Sequence, residues 1–272
     1  HRLKNYCLSP LGIGRVDQMN FSSDFEIILT QLKQNLEFKN ILEKDEEFPS
    51  THYIDPTEYF KTAAIEGAFL EQEAFYEILR SLQTIVACKK FLESKHEVYP
   101  ELGKLTQPVS VSSALVKSIE SRFDEKGHVR DNASPELGRI RKRIRDEQSR
   151  VKHLIDQLFR QAVGNGWVPE GISTTIRDGR LVIPVLAEHK RKISGFIMDE
   201  SATGQTVYLE PAQALEANNE IRDLIHAERR EIIKILRELT TLVRENLPEL
   251  RDAYYFLALL DFTRAKAKFS RD

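Results

Sequence analysis

The sequence has few of the residues that break helices or cross-link chains. Its 272 residues include 12 glycines, 10 prolines and two cysteines, Cys7 and Cys88. Two cysteines so far apart form neither a disulfide framework nor a close-spaced metal pair, so we expect a reducing, cytosolic compartment. Sparse glycine and proline with 30% charged residues favour a helix-rich globular protein over a disordered chain.

Long apolar runs and a strong net charge are also missing. No run approaches the roughly 20 apolar residues that cross a bilayer, so we expect no membrane contact. The formal net charge is −2, so any nucleic-acid contact must depend on local basic patches and not on a global field. The sequence shows no signal peptide, and its abrupt start at His1 suggests an excised fragment.

Motifs of common enzyme chemistry are absent. The sequence contains no GxxxxGK[ST] loop, GxGxxG, HExxH or GxSxG motif and no Cys/His cluster. Its seven histidines are scattered over polar segments, where solvated side chains are the rule. Asp199 and Glu200 are adjacent, so on a strand they point to opposite faces. We therefore expect no catalysis, metal or cofactor in this chain alone.

Apolar periodicity predicts a mainly α protein with a small antiparallel β module at residues 172–211. Asp178-Gly179 is a strong hairpin signal, and Pro184 inside a strand indicates an edge or a bulge. Consecutive strands are expected to be neighbours, as in a meander. The predicted strands are residues 174–177, 180–187, 192–198 and 206–209.

Two long amphipathic patterns, residues 135–163 and 212–245, flank this module. Each has coiled-coil spacing, and Glu147 and Glu228 interrupt the apolar seams. Neither helix buries its seam alone, so we expect an antiparallel pair of roughly 40–50 Å, at ~1.5 Å per residue, carrying the β module. The seam residues are Leu137, Ile140, Ile144, Val151, Leu154 and Leu158 on the first helix and Ile221, Ile225, Ile232, Ile235, Leu239 and Leu242 on the second.

The other helical patterns predict a separate domain, residues 1–134 completed by 246–272, beside the arm at 135–245. Near its start, Phe25, Ile28, Leu29, Leu32 and Leu36 have helical spacing, and Asp24 offers a capping oxygen.

Two basic stretches are candidates for contact with phosphates. The first lies near the start of the first arm helix, where cations alternate with acids and a solvated outer face is the competing interpretation. The second, His189-Lys190-Arg191-Lys192, is a turn between strands and is better placed to present cations together. Neither has base-reading or stacking character, so we expect no sequence specificity. The predicted nucleic-acid residues are Lys190, Arg191, Lys192, His189, Ser201, Thr203, Gln205, Arg141 and Arg145.

Longer motifs carry a family resemblance. The runs TIRDGRLVIPVLAEHKRKISGFIMDESATGQTVYLEP, NNEIRDLIHAERREIIKILRELT, GHVRDNASPELGRIRKRIR and LDFTRAKAKFS resemble the bacterial MutS-like paralogues with a C-terminal Smr domain, the second MutS family. The resemblance is most specific over residues 127–231. Asp199-Glu200-Ser201 departs from an expected Asp-Gln-Ser pattern and makes the module slightly more acidic.

This resemblance implies a MutS core, or lever, domain with an inserted clamp domain whose β tip touches the nucleic-acid backbone. Complete members resemble dimeric, ABC-type ATPases that use ATP and Mg and carry a Smr nuclease domain in the bacterial cytoplasm. They are associated with suppression of recombination and with splitting of collided ribosomes. The ATPase loop and the Smr domain are not in this sequence, so no catalytic residue is transferred to it.

Three functional hypotheses follow. The first is a non-catalytic clamp and lever region that binds duplex or branched DNA without sequence specificity. The second is a transmission module that grips ribosomal RNA or protein. The third is a structural coiled coil for dimerisation, with an incidental basic turn.

Overall fold

The protein, described here by a computed structural model that covers residues 2–44 and 46–271, is mainly helical with one small antiparallel sheet, which confirms the predicted fold class. In the described part, no helix is long and apolar enough to cross a membrane. The helices are α1 (Pro10–Asp17), α2 (Phe25–Glu43), α3 (Thr57–Ala64), α4 (Gln72–Ser94), α5 (Pro100–Gly103), α6 (Ser113–Glu120), α7 (Pro135–Gly164), α8 (Ala212–Glu245) and α9 (Leu247–Phe269), and the strands are β1 (Thr175–Arg177), β2 (Arg180–Leu186), β3 (Gly195–Glu200) and β4 (Thr206–Pro211).

The chain divides into two compact units. Residues up to Arg130, together with those from Lys234 onward, form the helical unit, and Asp131–Ile233 form the sheet-bearing unit. The second boundary falls inside α8, so one helix supplies residues to both units. The lever and clamp roles inferred for these segments remain predictions.

In the helical unit, α9 is buried around most of its circumference, as expected of a central helix that is apolar on all sides. Its buried Asp261 carboxylate accepts hydrogen bonds from the backbone N–H groups of Leu8 and Ser9, at 2.8 and 2.9 Å, and from the Ser9 hydroxyl at 2.9 Å. Burial raises the pKa of Asp261, whereas these hydrogen bonds favour its charged form. The carboxylate thus fixes the segment before α1 against α9.

In the sheet-bearing unit, α7 and α8 run antiparallel. The Ser134 hydroxyl, at the start of α7, donates to Glu231 at 2.7 Å, and Arg143 pairs with Glu220, nearer the start of α8. The buried stripes differ from the predicted seams. Leu224 is buried where Ile225 was expected, and Ile155 is fully buried between the half-buried Leu154 and Leu158. Helix α7 packs against the sheet as well as against α8. This additional contact shifts the buried face of each helix.

The strand order is β1-β2-β4-β3, so the predicted meander is wrong. β4 pairs antiparallel with both β2 and β3, and these two strands therefore run in the same direction. Parallel strands need a crossover and cannot be joined by a tight hairpin. Residues 187–194, which we call the crossover segment, start beside Thr206, the partner of Leu186, and end before Gly195, the partner of Pro211.

Candidate nucleic-acid interface

The crossover segment is fixed at both ends. At its start, the Ala187 N–H donates to the Gln205 carbonyl at 2.9 Å. At its end, Ile193 is buried in the core between the sheet and the two long helices, and the Ser194 carbonyl accepts from the Ala212 N–H at 2.9 Å. Between them, the Lys192 N–H bonds to the His189 carbonyl at 2.9 Å. Lys190, Arg191 and Lys192 thus lie on a short loop that is held at both ends.

Lys190, Arg191 and Lys192 are all exposed. No ion pair joins any of them to a residue in the described ranges. Their three α-carbons span at most roughly 7.6 Å, which does not exceed the Debye length of about 8 Å at physiological salt, so their potentials add. The neighbouring His189 ring lies 3.5 Å from Glu188 and forms an ion pair only when protonated. This arrangement presents a compact positive patch.

The turn at residues 201–205 adjoins this patch because Gln205 is hydrogen-bonded to Ala187. The Ser201 hydroxyl accepts from the Thr206 N–H at 3.1 Å, and Gly204 takes a φ of +65°, which glycine tolerates readily. Ser201 therefore builds the turn. The exposed side chains of Thr203 and Gln205 are better placed than that of Ser201 to reach a ligand at the patch.

Asp199, which precedes the acidic departure at Glu200, is paired with an arginine. Arg177 on β1 donates to the Asp199 carboxylate at 2.8 Å, and its guanidinium lies 4.2 Å from the centre of the Tyr208 ring. The three residues come from three different strands, with β4 in the middle. Sequence reasoning missed this contact because it joins residues on strands that are not neighbours in the sheet, and no local sequence signal indicates such a pair.

The cations of α7 have different surroundings. Arg141 is 20% exposed and donates to Glu228 at 2.7 Å and to Asp131 at 2.8 Å, and Arg145 reaches the second oxygen of Asp131 at 2.9 Å. Hydrogen bonds from these two arginines lower the pKa of Asp131. The structure thus places Arg141 and Arg145 in a salt-bridge network inside the sheet-bearing unit, away from the positive patch in sequence and in bonding.

Two more arginines of α7 are also paired with acids. Arg139 pairs with Glu136 at 2.7 Å, and Arg150 pairs with Glu147 at 3.3 Å. Glu147 and Glu228, the predicted polar breaks in the seams, are therefore ion-pair partners of arginines. Chemically, the unit offers charge and hydrogen bonding. Among the described residues there is no cluster of His, Cys, Asp and Glu that would hold a metal ion.

Comparison with known proteins places this arrangement in context. No protein-family model matches the chain. Proteins named Endonuclease MutS2 match it along nearly its whole length. The one from Pelotomaculum thermopropionicum is 31% identical over 97% of this chain and 33% of its own length, and that from Lactobacillus acidophilus is 33% identical over 100% and 34%. The relative from Halalkalibacterium halodurans is 31% identical over 99% and 35%. The chain spans about a third of the length of these curated relatives.

Proposed function

The chain is a MutS2-family sequence, and from that premise we propose that its sheet-bearing unit contacts the phosphate backbone of duplex or branched DNA without reading base sequence. The relatives are named endonucleases. For the complete protein we propose a DNA-processing role, with nuclease and ATP- and Mg-dependent activities carried by residues other than those described here. The helices and the sheet of this region then act as a clamp and lever.

The observation that carries this proposal is the contrast in charge compensation. Lys190, Arg191 and Lys192 have no acidic partner among the described residues, in a chain whose formal net charge is −2. Free cations on a tethered loop release counterions when they meet phosphates, whereas cations already paired with carboxylates gain less. Exposed Thr203 and Gln205 add uncharged hydrogen-bonding groups beside the patch.

Salt titration of binding tests the proposal. Affinities for duplex DNA, four-way-junction DNA and structured RNA are measured in parallel against salt concentration. The combined variant Lys190→Ala, Arg191→Ala and Lys192→Ala should reduce the slope of log K against log salt by about 2–3, because each phosphate contact contributes about 0.9. Its circular dichroism should be unchanged, since the three side chains are exposed.

A control variant removes the same number of positive charges from α7 instead of the crossover segment. Arg139→Ala, Arg143→Ala and Arg150→Ala remove three α7 cations that are at least 62% exposed and paired with acids. This variant should leave the slope nearly unchanged. Equal losses in the two variants would show that only net charge matters, and no loss in the crossover variant would refute the interface.

The three nucleic acids used in the titration separate the remaining hypotheses. Binding to structured RNA in preference to both DNA forms would support the ribosome-gripping module. Absence of binding to all three would favour a purely structural role for the helix pair. Preference for either DNA over RNA, lost in the crossover variant, is the result we expect.

A further inference from the structure

A cleft in the helical unit is lined by residues of α1, α2 and α9 and of the segment that joins α1 to α2. We call it the α1–α9 cleft. Its volume is about 460 Å³, within the range of roughly 300–1,000 Å³ that is usual for small-molecule sites. Such sites combine an apolar lining with a few polar groups. Here Ile28, Tyr255, Leu259 and Phe262 supply apolar surface, and four residues contribute side-chain amides.

The charged residues of this cleft are all cationic. Arg15 and Lys266 line it, and no aspartate or glutamate does so in the described part of the chain. Neither cation forms an ion pair with a described residue, and the Arg15 guanidinium reaches the neutral side chain of Gln18 at 3.5 Å. Burial lowers the pKa of Lys266, because its charged ammonium is partly removed from water. A negatively charged ligand would compensate for this loss of hydration.

Each of the two cations lies over an aromatic ring of the same cleft. The Arg15 guanidinium is 4.1 Å from the centre of the Tyr255 ring, and the Lys266 Nζ atom is 4.4 Å from the centre of the Phe262 ring. These contacts hold each cation beside apolar surface without neutralising its charge. Positive charge and aromatic surface therefore adjoin at two places in the cleft, as a ligand with an anionic group and an apolar body requires.

Two buried polar atoms of the lining residues have no hydrogen-bond partner among the described residues. They are the Nε atom of Arg15 and the Oδ1 atom of Asn35. Folded proteins leave few buried polar atoms unpaired, because each of them has lost its hydrogen bonds to water. The charged Nε–H group donates best to an anion, and the Asn35 oxygen accepts from an N–H or O–H group. A ligand that carries both an anionic group and a donor would satisfy both atoms.

From the cations, the aromatic rings and the unpaired atoms we propose that the α1–α9 cleft binds a small organic anion. Such a molecule has a carboxylate, sulfonate or phosphate group, an apolar body and an N–H or O–H donor. Arg15 and Lys266 supply the positive charge that attracts the anionic group, and the apolar body covers the aromatic rings. The site lies wholly in the helical unit and uses none of the crossover residues. Binding at this site and binding of DNA are therefore independent, and either can fail while the other holds.

Fluorescence titration of the 272-residue chain with anilinonaphthalene sulfonate tests the proposal, because this dye has a sulfonate, an aromatic body and an N–H group. Arg15→Gln and Lys266→Gln should each raise the dissociation constant by at least about 10-fold, since each removes a charge-assisted interaction with the sulfonate. Asn35→Leu should raise it by about 3–10-fold, because the hydrogen-bond acceptor is lost. Unchanged affinity in both cation variants overturns the proposal.

Three further variants separate binding in the cleft from indirect effects. Arg15→Lys keeps the positive charge and should retain the affinity within about 3-fold. Lys90→Gln removes an exposed cation of α4, and Phe25→Gln removes an apolar side chain of α2 that is 71% exposed; neither residue lines the cleft. Neither change should alter the dissociation constant. A loss in Phe25→Gln as large as that in Lys266→Gln would show that the dye binds the exposed side of α2, which overturns the proposal. Circular dichroism and thermal melts verify the fold of each variant.

Phenylnaphthylamine, the uncharged analogue of the dye, tests the need for an anionic group. It should bind at least about 10-fold more weakly than the sulfonate. Sulfate, which has charge but no apolar body, should displace the dye only at concentrations at least about 10-fold above the dissociation constant of the dye. Equal affinities for the two dyes would indicate an ordinary apolar patch, and displacement by sulfate at lower concentrations would indicate a site for simple anions. Either result overturns the proposal.

Discussion

The paired arginines of α7 and the cations of the crossover segment differ in their surroundings more than in their charge. Arg141 is mostly buried between two acids, Glu228 and Asp131. Lys190, Arg191 and Lys192 face solvent without an acidic partner in the described ranges. Density of positive charge along a sequence therefore says little about ligand binding. What matters is whether the fold has already supplied carboxylates to those cations.

Arg180 on β2 differs from these cations because its acidic partner is fully buried. Glu210 on β4 is 1% exposed, and its carboxylate accepts from Arg180 and, at 2.7 Å, from the Asn218 amide. Arg180 also donates to Asn219 at 3.0 Å. This network ties β2 and β4 to the start of α8.

The largest effect is expected from breaking this buried network. Glu210→Ala leaves Arg180 without its partner in a nearly dry site and should lower the free energy of unfolding by about 3 kcal/mol. Glu200→Ala, on the exposed end of β3, should change it by less than about 0.5 kcal/mol. Urea denaturation followed by circular dichroism compares the two. Similar stabilities for both variants would contradict the assignment of Glu210 as a structural anchor.

A smaller effect is expected at the partly exposed pairs of α7. Arg141→Ala removes its bonds to Glu228 and Asp131 and should cost about 1 kcal/mol of stability, with no change in the salt dependence of DNA binding. The crossover variant should show the opposite behaviour, with normal stability and an altered slope. Stability and the salt dependence of DNA binding are therefore measured in both variants. An altered slope in Arg141→Ala would contradict the distinction between paired and unpaired cations.

The smallest effect concerns pH. Bonds from Arg141 and Arg145 lower the pKa of Asp131 below its ordinary value of 3.8. A carboxyl whose pKa is lower in the folded state stabilises the fold above the unfolded pKa, and this contribution is lost as pH falls through the folded one. Asp131→Asn should therefore reduce the loss of stability below pH 4 by a few tenths of a kcal/mol at most, because the group is largely exposed. Thermal melts from pH 2 to 6 measure the stability of both chains. Identical pH profiles for Asp131→Asn and the unchanged chain would contradict the lowered pKa of Asp131.

Local signals predicted the elements well. Residues 212–245 were expected to be helical, and α8 has those bounds. Asp178 and Gly179 take φ values of +48° and +75°, as a tight hairpin turn requires. Pro184 is tolerated because β1 pairs with β2 only as far as Val182, so β2 has no neighbour on that side at the proline.

Non-local features escaped prediction for a physical reason. Alternating apolar residues identify a strand and its inner face, but they do not say which strands are neighbours. The contact between Arg177 and Asp199 joins two strands that are not neighbours in the sheet, so no local pattern indicates it. Likewise, the periodicity of α2 predicted its helix but not that Phe25, Leu32 and Leu36 would be largely exposed. In the candidate interface, sequence reasoning located Lys190–Lys192, whereas the pairing of Arg141 depended on packing between distant segments.

The position of β4 has a consequence for the order of folding. β4 is the hydrogen-bonding neighbour of both β2 and β3, yet it is the last strand to be synthesised. β3 therefore emerges without a partner, and the crossover segment cannot take its fixed path until residues 206–211 have joined the sheet. The pairing of β2 with β4 is non-local, and forming it is slower than closing a local hairpin such as that of β3 and β4. During translation, the crossover segment is thus ordered only after β4 has been synthesised and has joined the sheet.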